Sequence, residues 1–145
     1  MSETWIVAHD FSPCSDAAAD EAARLLAPLH GRMRLFHAHA PVHVEAHLGW
    51  GETTFNLENE VRAALERTAT ALKHKHPGIE IEVDVAAEES PAKGILNAAS
   101  RASVDHIVVG THGRKGVAHF VLGSVAEQVV REAKVPVLVV KGGSV

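Results

Sequence analysis

Apolar runs too short to be helices alternate with helix-period segments along this whole chain, and that alternation leaves few folds open. Trp5-Ile-Val-Ala8 is a short apolar run followed by Asp10-Phe-Ser12-Pro13, a strand ending in a helix start with Ser12 as N-cap and Pro13 at the first helical position. The Ala-rich segment to His30 carries Ala18, Ala22, Leu25, Leu26 and Leu29 at helical spacing, and Gly31 suits its C-terminal cap. Met33 to Ala40 reads as a second strand, and Pro41 to Thr54 as the longest irregular stretch. Leu57, Val61, Ala64, Leu65, Thr68 and Leu72 mark one face of a second helix that His76-Pro77-Gly78 stops. Ile79, Ile81, Val83 and Val85 alternate with Glu80, Glu82 and Asp84, the period-2 pattern of an edge strand. Ser90-Pro91 repeats the Ser-Pro helix start ahead of Ile95, Leu96 and Ala99, and Asp105 precedes a fourth strand, His106 to Val109. A helix from Ser124 to about Lys134 and a strand from Val135 to Val140 follow. Strict alternation of this kind predicts a parallel sheet with helices on both faces.

The chain has 145 residues, of which 46% are apolar, enough for the core of one domain spanning residues 1–145. A net charge of −4 with scattered basic residues argues against a nucleic-acid footprint or a polybasic membrane patch. No apolar run approaches the roughly 20 residues that cross a bilayer, and Met1-Ser-Glu-Thr-Trp5 lacks the regions of a signal peptide, so the expected location is the cytoplasm. Its one cysteine, Cys14, excludes an internal disulfide.

In an open parallel sheet, ligands bind beyond the carboxyl ends of the strands, where the strand order reverses. The two most specialised loops are those after the first and fourth strands. The second reads Gly110-Thr-His-Gly113, nine further residues, then Gly123-Ser124, directly out of the strand His106-Ile-Val-Val109. Glycines at 110 and 113 let the backbone approach a phosphate closely, and Gly123 and Ser124 present N–H groups and a hydroxyl at a helix start. The alternative is plain turn chemistry: Ser124-Val-Ala-Glu127 is also a capping box, useful in any helix. There is neither a G-x-x-x-x-G-K-[ST] nor a G-x-G-x-x-G, so a P-loop and a dinucleotide fingerprint are both excluded, and with the P-loop lysine goes the electrostatic equipment of a fast NTPase.

G-x2-G-x9-G-[ST] after a hydrophobic strand, with Val7-Ala-His-Asp10-Phe-Ser12 upstream and Val135-Pro-Val-Leu-Val-Val140 downstream, resembles the universal stress protein family over essentially the whole chain. The resemblance implies a Rossmann-like three-layer α/β/α sandwich of the adenine nucleotide alpha hydrolase type, with a five-stranded parallel sheet of order 3-2-1-4-5. It also implies a homodimer joined through the last strand, Val137 to Val140, and a stress-response role. In members with this glycine motif it implies ATP, with magnesium or manganese. Carried over residue by residue, Asp10 and Ala8 would meet the adenosine part, Ala38 the base, and Val109 and Gly110 the ribose and phosphate side. Gly113, Arg114, Gly123, Ser124 and Val125 would hold the phosphates. Glu89-Ser-Pro-Ala92 departs from the family's usual glycine before the third helix.

The leading expectation is therefore an adenine-nucleotide-binding regulatory module rather than an enzyme. The alternatives are slow divalent-metal-dependent ATP hydrolysis, for which only Asp10 or His112 could serve as base, and a metal or pH sensor built on His37, His39, His43 and His47. His119 joins His112 inside the glycine loop. Cys14, at the second position of the first helix, reads as an inert small residue or, alternatively, a redox switch.

Overall fold

The computed structural model describes residues 2–41, 51–112 and 122–142, with residues 51–56 described by their backbone alone. The elements run β1 (Thr4–Ala8), α1 (Pro13–Leu26) with a 3-10 turn over Ala27–Leu29, β2 (Arg32–His39), α2 (Gly51–Lys75), β3 (Glu80–Ala87), α3 (Pro91–Ala102), β4 (His106–Gly110), α4 (Ser124–Glu132) and β5 (Val137–Val140). All strands are parallel and lie in the order β3-β2-β1-β4-β5, as the resemblance implies.

The side-chain alternation of the strands divides the core into two layers. Trp5, Val7, Met33, Leu35 and Val108 face one side, where they pack with Ala18, Ala22 and Leu26 of α1 and Leu65, Ala69 and Leu72 of α2. Ile6, Phe36, Ile107 and Val109 face the other, against Ile95 and Ala99 of α3 and Ala126 and Val129 of α4. Central strands buried on both faces are what continuous apolar runs encode. β3 lies at the sheet edge, as its polar alternation predicts.

The helix starts follow the serine rule twice. Ser12 accepts from the Ser15 N–H and Ser90 from the Lys93 N–H, each with proline at the next position. Four expected boundaries move. The helix after β2 starts at Gly51, inside the stretch read as irregular, because an existing helix extends past its apolar stripe at little cost. α4 stops at Glu132 and β5 starts at Val137, since Ala133 is already extended (ψ 143) ahead of Pro136. β2 sits one residue earlier than expected, starting at Arg32, where the Arg32 N–H bonds the Glu3 carbonyl at 2.8 Å. The left-handed residue after α1 is His30 (φ 51), not Gly31. Gly31 is glycine for a different reason: a Cβ there would strike the Leu26 side chain where strand and helix converge.

Candidate functional site

The loop leaving β1 is held by its own serines. The Asp10 carboxylate accepts the Ser12 N–H at 3.0 Å and the Ser15 hydroxyl, and the same hydroxyl accepts the Asp10 N–H at 3.1 Å. Burial alone would push the Asp10 carboxyl up, but the Ser12 and Ser15 hydroxyls and the Ser12 N–H together outweigh it and hold the group below its usual range. Asp10 is thus an ionised, preset acceptor at the carboxyl end of the central strand.

Across the sheet, β4 ends at Gly110, and the Gly123 N–H closes onto the Thr111 carbonyl at 2.7 Å. A Cβ on Gly123 would lie 2.9 Å from that carbonyl oxygen, so the glycine is what lets the chain pass there. Gly123 is also the N-cap of α4 and offers no side chain to the first-turn N–H groups. Ser124 is the first helical residue rather than the cap, so the Ser124–Glu127 capping box does not form. The first turn of α4 consequently presents backbone donors and the positive end of the helix dipole without a side chain of its own in the way.

Both loops border one cleft of about 760 Å³, lined by the carboxyl ends of β1, β2 and β4, the first turns of α3 and α4, and Leu57 and Val61 of α2. It lies at the switch point, where the strand order turns from β1-β2-β3 to β4-β5. Ala8, Asp10, Ala38, Val109, Gly110, Gly123, Ser124 and Val125, eight of the ten residues assigned from the sequence, line this cleft. Gly113 and Arg114 lie outside the described residues, as do His43, His47 and His119. His112 lines the cleft.

Several lining residues escaped the sequence reading. Thr111 and Leu122 flank the glycines, and Pro91 and Ile95 open α3. For Pro91 and Ile95 there was a signal in the Ser90-Pro91 helix start, which places the first turn of α3 at the same end of the sheet. His9 and Ser15 gave no signal, because their roles come from contacts with Phe11 and Asp10.

The histidines of β2 have backbone partners. His37 donates from Nδ1 to the His9 carbonyl at 2.7 Å, and His39 from Nδ1 to the Ala40 carbonyl at 3.1 Å. Among the described residues, no three His, Cys, Asp or Glu side chains gather into a group that could hold a metal ion. Cys14 is buried, with Sγ 3.6 Å from the Thr111 hydroxyl and 3.9 Å from the Val140 carbonyl, packed under the end of β4. Among the described residues no helix is long and apolar enough to cross a membrane.

The model of the universal stress protein family matches residues 1–141. A universal stress protein of Thermus aquaticus is 35% identical over 144 residues, covering 97% of this chain and 100% of that protein. Universal stress protein Mb2019 of Mycobacterium bovis is 32% identical over 144 residues, covering 94% of this chain but 43% of the longer relative. Among solved structures, that of MJ0577 superposes with a TM-score of 0.77 at 23% identity, covering 100% of this chain and 99% of that one. A universal stress protein in complex with cAMP gives 0.71 at 24%, covering 98% of each. With a match across nearly its whole length, on the fold and strand order described above, this chain belongs to the universal stress protein family.

Proposed function

We propose that this protein binds an adenine nucleotide, ATP foremost, across the carboxyl ends of β2, β1 and β4, and that occupancy is read by a partner as a stress or energy signal. The observation that carries the reading is the convergence of the Asp10 loop and the Gly110 and Gly123 turns on one cleft. Its volume falls inside the range of about 300–1,000 Å³ typical of small-molecule sites. The chemistry of the lining fits the two ends of a nucleotide. Ionised Asp10 is an acceptor for ribose hydroxyls or base amino groups, and the open first turn of α4 is a donor set for phosphate. The family resemblance assigns Gly113 and Arg114 to the phosphates as well, and magnesium or manganese would neutralise the phosphate charge when bound. Solved universal stress proteins in complex with cAMP and, from Archaeoglobus fulgidus, with dAMP share this fold, which supports an adenine ligand.

Mass spectrometry of small molecules released from the purified protein tests the ligand class directly, and calorimetric titration with ATP tests the site. Gly123→Val drives a side chain into the Thr111 carbonyl. It should weaken ATP binding by roughly a hundredfold, the weight of about two hydrogen bonds to a charged group, with an unchanged circular dichroism spectrum. Full affinity in this variant would overturn the phosphate assignment. A turnover assay with and without magnesium distinguishes holding ATP from slow hydrolysis. Two copies pair through the edge of β5 that faces away from β4.

A further inference from the structure

We propose that His9 is a positioning residue of the cleft: its neutral imidazole holds Phe11 in a left-handed turn and so keeps the Asp10 carboxylate aimed at the ligand. The inference rests on the nucleotide reading above. Phe11 has φ 64, a conformation that is strained for an aromatic residue and needs support from its surroundings. The support is visible. The Phe11 N–H donates to His9 Nδ1 at 3.1 Å, and the two rings meet edge to face with centroids 5.2 Å apart. The second imidazole packs on the other side, with the His37 ring 4.9 Å from that of Phe11.

These bonds determine the protonation pattern. A backbone amide only donates, so Nδ1 of His9 must carry a lone pair, and the ring proton sits on Nε2. Nε2 lies 2.8 Å from Asp16 Oδ1, a carboxylate in the first turn of α1, and donates to it. The His9 side chain is 1% exposed, and its main chain is tied on both sides: its N–H to the Phe36 carbonyl at 2.8 Å, its carbonyl to His37 Nδ1 at 2.7 Å. The imidazole therefore spans from α1 to the turn, and Asp10 is the residue between the ring's own backbone and the amide it restrains. Without an acceptor at Nδ1, the Phe11 N–H loses its partner and the left-handed turn is left to the ring contacts and the Ser12 N–H bond to Asp10, so relaxation of that turn carries the Asp10 carboxylate away from Ser15.

The two ring nitrogens can be tested separately. In His9→Asn the amide oxygen stands where Nδ1 stands and the bond to Asp16 is lost. In His9→Gln the amide group reaches the Nε2 position and the acceptor for Phe11 is lost. Calorimetric titration with ATP should give His9→Asn an affinity within about threefold of wild type and His9→Gln one about tenfold weaker or more, the weight of one hydrogen bond. Thermal melts should not follow that order. Affinities that track melting temperature across both variants, or equal affinities for both, overturn the proposal. A second readout needs no nucleotide: the carboxyl carbon shift of Asp10, followed by NMR against pH. In wild type and His9→Asn it should titrate below the usual carboxylate range, and in His9→Gln it should return toward that range. If wild type binds no adenine nucleotide, the nucleotide reading fails, and this titration still decides whether His9 sets the Asp10 turn. An unchanged Asp10 titration in His9→Gln overturns that role.

Discussion

Gly110 ends β4, and a Cβ placed on it would lie 2.7 Å from the Cys14 sulfur and 3.1 Å from the Cys14 carbonyl oxygen. The glycine read from sequence as room for a phosphate is thus also room for α1, which crosses directly beneath the strand end. The partner is 96 positions away in the chain, so no local pattern announces the contact. Gly110→Ala should destabilise the protein by about 1–3 kcal/mol, the usual range for overpacking. Cys14→Ala removes the sulfur and leaves the backbone contact. In a double-mutant cycle by chemical denaturation, the pair should therefore lose less stability than the sum of the two single changes. Strict additivity would place the strain of Gly110→Ala elsewhere. The same glycine stands at the edge of the cleft, so Gly110→Ala should also weaken ATP binding, which the titrations above can measure in parallel.

At the scale of elements, α1 and α2 are tied at the end of the sheet opposite the cleft. Asp20 of α1 accepts from His76 Nε2 at 2.8 Å and from Lys75 Nζ at 2.9 Å, where α2 gives way to the His76-Pro77-Gly78 stop. The His76 bond first, and the Lys75 bond after it, hold the Asp20 carboxyl below its usual range. Because folding lowers this pKa, ionised Asp20 stabilises the folded chain above the ordinary aspartate range. That contribution is lost as pH falls through the folded value. The carboxylate is 40% exposed, so the tie is worth less than about 1 kcal/mol after solvent screening. Asp20→Asn should accordingly lower stability slightly at neutral pH, and denaturation curves of variant and wild type should converge in acid. A gap that persists at low pH would mean that packing, not charge, is what the substitution disturbs. The stop that places His76 there was plain in the sequence, whereas the pairing with Asp20 needed the two helices side by side.

At the scale of the whole molecule, the parallel sheet has two open edges of opposite character. β3 carries Glu80, Glu82 and Asp84, with Glu80 and Asp84 drawn to Arg32 and Arg34 of β2, and charge of this kind blocks edge pairing. β5 presents Val137, Leu138, Val139 and Val140, all half-buried, beside a single described neighbour, β4. An apolar edge that pairs with its own copy closes by two-fold symmetry. Light scattering at micromolar concentration should therefore return about twice 15.4 kDa, and Leu138→Asp should return the single-chain mass with the circular dichroism of the fold retained. A single-chain mass for wild type would remove the dimer from the proposed function.

Periodicity was enough for the strands, the helices and the two-faced sheet, because a strand buried on both sides or a helix with one apolar stripe is written in neighbouring residues. The loops that carry Asp10, Gly110 and Gly123 were readable for the same reason, since glycine and serine at strand-to-helix junctions are local chemistry. The order β3-β2-β1-β4-β5 was not contained in that alternation and came from the motif resemblance, which the fold bears out. What only the tertiary structure decided are the contacts that join distant parts of the chain: His30 rather than Gly31 in the left-handed position, Cys14 seated on Gly110, and His9 spanning from Asp16 to the Phe11 amide. Each depends on where one element's end meets another's side, and that distance is set by packing two helical layers on a twisted sheet, which no single stretch of sequence encodes.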